Sequence, residues 1–140
     1  MPIPVRVVSV ERSLFEGEAS FILVRSTAGE LGILPQHAPL LAVLAPHALR
    51  IDKAEGGREE IFVGGGFMEV LPDRVTVLAD IAEHVDEINL ERAEAARRSV
   101  QERLQGELPD TERRSLEQEL VAAEERLRLA RIRRGESPRG

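Results

Sequence analysis

The segment Ala79-Asp80-Ile81-Ala82-Glu83-His84-Val85-Asp86-Glu87-Ile88-Asn89-Leu90-Glu91-Arg92 is where the chain changes its period. Before it, apolar residues come in short runs divided by turn residues: Val5 to Val10, Phe21 to Val24, Ala48 to Ile51, Ile61 to Val63 and Val75 to Leu78. After it, Leu90, Ala93, Ala96, Val100 and Leu104 return on one helical face. In between, Asp80, Glu83, His84, Asp86 and Glu87 bring four carboxylates and one imidazole together. They read as a solvated linker, because a hard-cation loop needs glycine turns and regular ligand spacing that are missing here. Asn89 has the side-chain oxygen to cap a helix, and Glu91 suits the first turn. The boundary therefore falls near residue 86.

Upstream, β-branched residues are frequent and alternation is visible in Val5-Arg6-Val7 and Arg74-Val75-Thr76-Val77. Glu55-Gly56-Gly57-Arg58 and Pro72-Asp73 are hairpin turns by composition. About ten short strands with no helical run between them predict an antiparallel β-sandwich over residues 1 to 86. The stretch Gly29-Glu30-Leu31-Gly32-Ile33-Leu34-Pro35-Gln36-His37-Ala38-Pro39-Leu40 is so punctuated that neither helix nor regular strand is expected through it. Such a shaped loop is either a structural corner or a presented docking edge, and one Glu and one His do not decide between them. Gly64-Gly65-Gly66 is not followed by a helix or by Gly-Lys-Ser/Thr. It reads as a close backbone contact rather than a phosphate cradle.

Downstream, Gly106 and Leu108-Pro109 end the first helix, and Asp110 or Thr111 starts a second. Leu116, Leu120, Ala123, Leu127 and Ala130 repeat at spacings of 4, 3, 4 and 3, the seam of a helix packed on another helix. The short connection predicts an antiparallel two-helix hairpin over residues 87 to 140. Its first helix offers mainly alanines, so it should depend on docking elsewhere and exchange one partner surface for another.

Residues 1 to 86 hold seven Lys/Arg against thirteen Asp/Glu, whereas residues 87 to 140 hold twelve of each. From Arg126 onward there are six arginines and one glutamate, a basic end to an acidic chain. Four Phe with no Trp or Tyr give few stacking platforms, so nucleic acid is not expected as a partner. With no cysteine, disulfides and thiolate metal sites are excluded. Met1-Pro2-Ile3-Pro4-Val5-Arg6 lacks the apolar core of a signal peptide, and the longest apolar run, Leu40 to Ala45, is far short of a spanning helix. A soluble chain is expected, reaching a membrane only through a protein partner. Neither a nucleophile with its base, nor a metal cage, nor a phosphate loop is evident, so the chain reads as a binding protein and not an enzyme.

Taken in order, the Gly29 to Leu40 stretch, Gly65-Gly66-Phe67-Met68-Glu69-Val70, Val75-Thr76-Val77-Leu78-Ala79 and Ile88-Asn89-Leu90-Glu91-Arg92-Ala93 resemble the signatures of the epsilon subunit of bacterial F-type ATP synthases. The resemblance covers nearly the whole chain. It implies a non-catalytic rotor subunit at the foot of the central stalk, binding the gamma subunit through its sandwich and touching the c-ring, with Glu30 and His37 as the c-ring pair. It also implies mobile C-terminal helices that extend toward the alpha/beta catalytic hexamer and restrain ATP hydrolysis. Arg126, Arg128, Arg131, Arg133 and Arg134 are the residues with the sign for acidic partner segments. The implied location is peripheral, on the cytoplasmic face of the bacterial plasma membrane.

No cofactor is expected. Some members of that family bind ATP as a regulator on the folded hairpin, and Glu83, Arg92 and Arg126 match three of the positions concerned. Asn89 stands where the motif has Asp, and Ser99 and Ala122 stand where it has arginines. Two of the guanidinium groups that hold phosphate best are therefore absent from the set. Against this whole reading stands a generic sandwich adaptor whose hairpin binds another protein or a small ligand. Stable association with a coiled-coil stalk subunit separates the two.

Overall fold

The computed structural model describes residues 1–133 and 135. Its chain forms two compact units, the first Met1–Val85 and the second beginning at Asp86.

The first unit contains nine strands: β1 Ile3–Ser9, β2 Ser13–Ser26, β3 Gly29–Ile33, β4 Leu40–Leu44, β5 His47–Lys53, β6 Arg58–Val63, β7 Gly66–Leu71, β8 Arg74–Ala79 and β9 Ala82–His84. The long β2 organises them. Its first half pairs with β1, from Ile3↔Ala19 to Val8↔Ser13. Its second half pairs with β3 on one side and β5 on the other, so that Ile22 faces both Ile33 and Ile51. The hydrogen bonding is continuous through all nine strands, because β2 also meets β4 at Ser26↔Leu44; sharing β2 divides the strands into two sheets of a sandwich, β2-β1-β8-β7-β4 and β3-β2-β5-β6-β9. All pairings are antiparallel except β1 with β8, which is parallel. Alternate residues of both sheets point inward, and Val7, Ile22, Ile33, Leu49, Ile51, Ile61, Met68 and Val77 are fully buried in one core.

Two expectations are corrected here. Gly29–Ile33, read as too punctuated for a strand, is β3. Gly29 takes its positive φ, +134°, at the turn, while Gly32 is extended with the Phe21 ring where a Cβ would be, 3.0 Å away. Gly32 therefore serves packing rather than a bend. Ala82–His84, read as linker, is β9, joined to β6 by main-chain pairing that a three-residue segment cannot signal through side-chain periodicity. His84 Nδ1 lies 2.6 Å from Glu59 Oε1 on that neighbour. At Gly64–Gly66 the expected close approach occurs: Gly66 has φ +130°, and a Cβ on it would collide with the Leu78 carbonyl oxygen.

A 3-10 turn at Val85–Glu87 spans the boundary, and the second unit continues with α1 Leu90–Leu104 and α2 Asp110–Arg133. Asn89 Oδ1 caps α1 by accepting from the Arg92 amide at 2.9 Å. At the other end Arg113 donates to the Leu104 and Gly106 carbonyl oxygens, both at 3.0 Å, and so satisfies acceptors that a helix end leaves open. Leu116, Leu127 and Ala130 are buried on the expected seam, but Ala96 is exposed and Leu129 is buried away from that seam. No helix among the described residues is long and apolar enough to cross a membrane.

Candidate docking surfaces

Strand alternation fixes which side chains leave the core on the β4-β7-β8-β1 sheet. Ala42, Leu44, Met68, Val70, Val75, Val77, Val5 and Val7 point in and are buried. Val43, Phe67, Leu78 and Val8 point out, and register places them side by side: Val43↔Phe67, Phe67↔Leu78, Val8↔Leu78. With strands about 4.8 Å apart, the row is roughly 14 Å long. Val43, Phe67 and Leu78 remain 48%, 49% and 54% exposed. The next row of the same face is more polar, Leu41, Glu69, Thr76 and Arg6. An apolar centre beside a charged margin is the anatomy of a protein interface. Reading the sequence missed this row, because Val75 to Leu78 registers as one apolar run until pairing shows that Leu78 faces outward.

The β3–β4 connection is a second protruding feature. Leu34 is 61% exposed at its start, Gln36 takes φ +64°, and His37 Nδ1 lies 2.7 Å from the Ala38 carbonyl oxygen. Gln36 is the non-glycine residue that adopts the left-handed backbone between the two prolines. Glu30 is exposed on β3, across from Arg25, whereas His37 belongs to the loop and is half-buried rather than free in solvent. The two residues of the suggested pair thus stand on different segments.

The basic helix has internal partners. Arg128 makes two bonds of 2.7 Å to Glu125, which raise its pKa above the ordinary guanidinium value against the opposing effect of partial burial. Arg131 reaches Glu94 of α1 at 3.8 Å, and Arg133 donates to the Ile88 carbonyl oxygen at 2.6 Å. Arg134 lies outside the described residues. Among the suggested nucleotide-binding residues, Asn89, Arg92 and Arg126 are in the second unit and Glu83 is on β9 in the first. The Asn89 side-chain oxygen is engaged as the helix cap.

A polar cluster on β5 and β6 was not anticipated. Arg50 grips Asp52 through two bonds of 3.0 Å, Arg58 adds a third at 3.3 Å, and the Arg50 guanidinium lies 5.7 Å from the centre of the Phe21 ring. The Arg50 hydrogen bonds hold the Asp52 carboxyl below its ordinary pKa despite partial burial. Among the described residues, no three His, Asp or Glu side chains gather closely enough to hold a metal ion.

This sandwich is matched, over residues 2–85, by the family model of the ATP synthase delta/epsilon chain beta-sandwich domain. An ATP synthase epsilon chain of Exiguobacterium is 43% identical over 126 residues, 89% of this chain and 93% of that one. The chain belongs to the ATP synthase epsilon-chain family. An epsilon chain of Bordetella petrii is 49% identical over 100 residues, 71% of each chain. Among solved structures, a chain of the mitochondrial ATP synthase of Euglena gracilis, in its OSCP/F1/c-ring structure, shares the fold with TM-score 0.73 at 22% identity. That match covers 89% of this chain and 78% of the other. The family model ends where the first unit ends, so the part of this epsilon-family chain that it describes is the sandwich that carries the apolar row.

Proposed function

We propose that the chain is a non-catalytic rotor subunit of a proton-translocating F-type ATP synthase, joining the gamma subunit to the c-ring and restraining ATP hydrolysis through its C-terminal helices. The observation that carries this reading is the Val8, Val43, Phe67 and Leu78 row, an outward apolar strip on a sheet whose inner face is already filled. In this reading gamma covers that strip. The β3–β4 loop, with Glu30 on its entering strand and His37 within it, meets the polar loops of the c-ring. The arginines of α2 supply the charge that an acidic surface of the catalytic hexamer attracts, and exposed pairs of this kind add roughly 0.2–1 kcal/mol each.

The same reading places the chain on the cytoplasmic face of the membrane, held there by its partners. Regulatory ATP is a lesser part of it, since the Asn89 oxygen already serves the helix cap and Ser99 and Ala122 bring no charge. The test is binding of the full-length chain to purified gamma subunit, compared with a Val43→Ser, Leu78→Ser double variant. The expected result is stable association of the native chain and its loss in the variant, with the circular dichroism spectrum unchanged. Equal binding by both would move the gamma contact to another face; no binding by either would defeat the rotor assignment.

A further inference from the structure

We infer that Arg97 keeps the helical hairpin short of the stability its seam would otherwise give, so that local opening is built into the second unit. Along α1 the residues withdrawn from solvent are Leu90, Ala93, Glu94, Arg97, Val100, Gln101 and Leu104, and of these Leu90, Ala93, Arg97, Val100 and Leu104 form one stripe at spacings of 3, 4, 3 and 4. Glu94 and Arg103 lie on either side of this stripe and reach Arg131 and Glu119 of α2, at 3.8 and 3.9 Å. The stripe therefore faces α2, and Arg97 is at its middle. The same two pairs set an antiparallel register that brings Arg97 level with Leu127, itself buried in the seam.

A guanidinium now occupies the position where helix pairing favours an aliphatic side chain. Its Nε is buried and finds no hydrogen-bond partner among the described residues. A buried N–H without an acceptor has lost its water and gained nothing in exchange, which penalises the closed state and leaves the open state untouched. The adjacent Arg98 is exposed and incurs no such penalty. The ends of the hairpin are fastened, by Arg113 on the α1 carboxyl end and by Arg133 on the Ile88 carbonyl. Its weakness is in the centre, where opening separates the helices without first melting them. This holds whether or not the hairpin regulates an ATP synthase.

Backbone amide exchange of the full-length chain tests it, comparing the native protein with Arg97→Met, Arg97→Leu and Arg98→Met. Met keeps an unbranched stem of similar reach, and Leu provides a second apolar side chain should Met disturb the helix. Both Arg97 variants should slow exchange over residues 93–104 and 116–127 by between about fivefold and about a hundredfold, the cost of an unpaired buried donor expressed as a ratio. Arg98→Met should leave exchange unchanged, which separates the effect from loss of one positive charge. Exchange that is equal or faster in both Arg97 variants overturns the inference, as does equal slowing in Arg98→Met.

Discussion

Replacing Gly66 by alanine tests whether the apolar row depends on one close approach of backbone to backbone. Gly66 opens β7 with φ +130°, and its missing Cβ leaves room for the Leu78 carbonyl oxygen and for Ala79 Cα, which would be 2.9 Å away. An alanine there adopts a backbone region that L residues avoid, at a cost of about 1–3 kcal/mol. It must also push β7 from β8, loosening the Gly66↔Ala79 and Phe67↔Leu78 steps of the ladder, with roughly 1 kcal/mol lost for each of two hydrogen bonds. The sum is about 3–5 kcal/mol. Gly56 is the matched control, with φ +107° and nothing within 4 Å of its absent Cβ. Gly56→Ala should therefore cost only the backbone part, about 1–3 kcal/mol. Urea unfolding of both variants, followed by circular dichroism, measures the difference. At a slope of about 2 kcal/mol per molar, Gly66→Ala should lower the midpoint by about 2 M. Losses within about 0.5 kcal/mol of one another would refute the collision argument, since ordinary surface changes scatter by that much.

Replacing Glu30 and His37 together by glutamine should weaken coupling of proton flow to ATP synthesis in reconstituted vesicles while thermal stability stays the same; undiminished synthesis would make the loop a structural corner. Deleting residues 110 to 140 should raise ATP hydrolysis by the assembled complex more than it alters synthesis, with added salt mimicking the deletion in part, because exposed ion pairs are screened. Equal hydrolysis with and without the segment would give the basic helix another purpose. Asp52→Asn bears on acid stability. Because the Arg50 bonds lower the Asp52 pKa in the folded state, that stabilisation is complete above the unfolded carboxylate value, about 4, and is lost as pH falls through the folded value. The variant should be less stable at pH 7 and should lose less on going to pH 3, as read from urea midpoints; parallel losses in the two proteins would contradict the sign.

The sequence alone determined the order of the two units, the hairpin turns at Gly56-Gly57 and Pro72-Asp73, and the limits of α1, because each rests on local physics. Turn residues act within four positions, and Asn89 caps the amide only three residues ahead. The role of Gly66 was legible for the same reason, a missing Cβ being visible in the sequence itself. Tertiary structure decided the rest. β3 became a strand against its own punctuation because β2 offered it a ladder, and β9 formed because β6 had a free edge. Arg97 displaced Ala96 from the seam because the phase of a helix is set by the face its partner covers, not by which residues are apolar. The outward apolar row belongs to the same class. Val8, Val43, Phe67 and Leu78 lie on four strands scattered through the chain, and only register between β1, β8, β7 and β4 turns four ordinary strand residues into one surface.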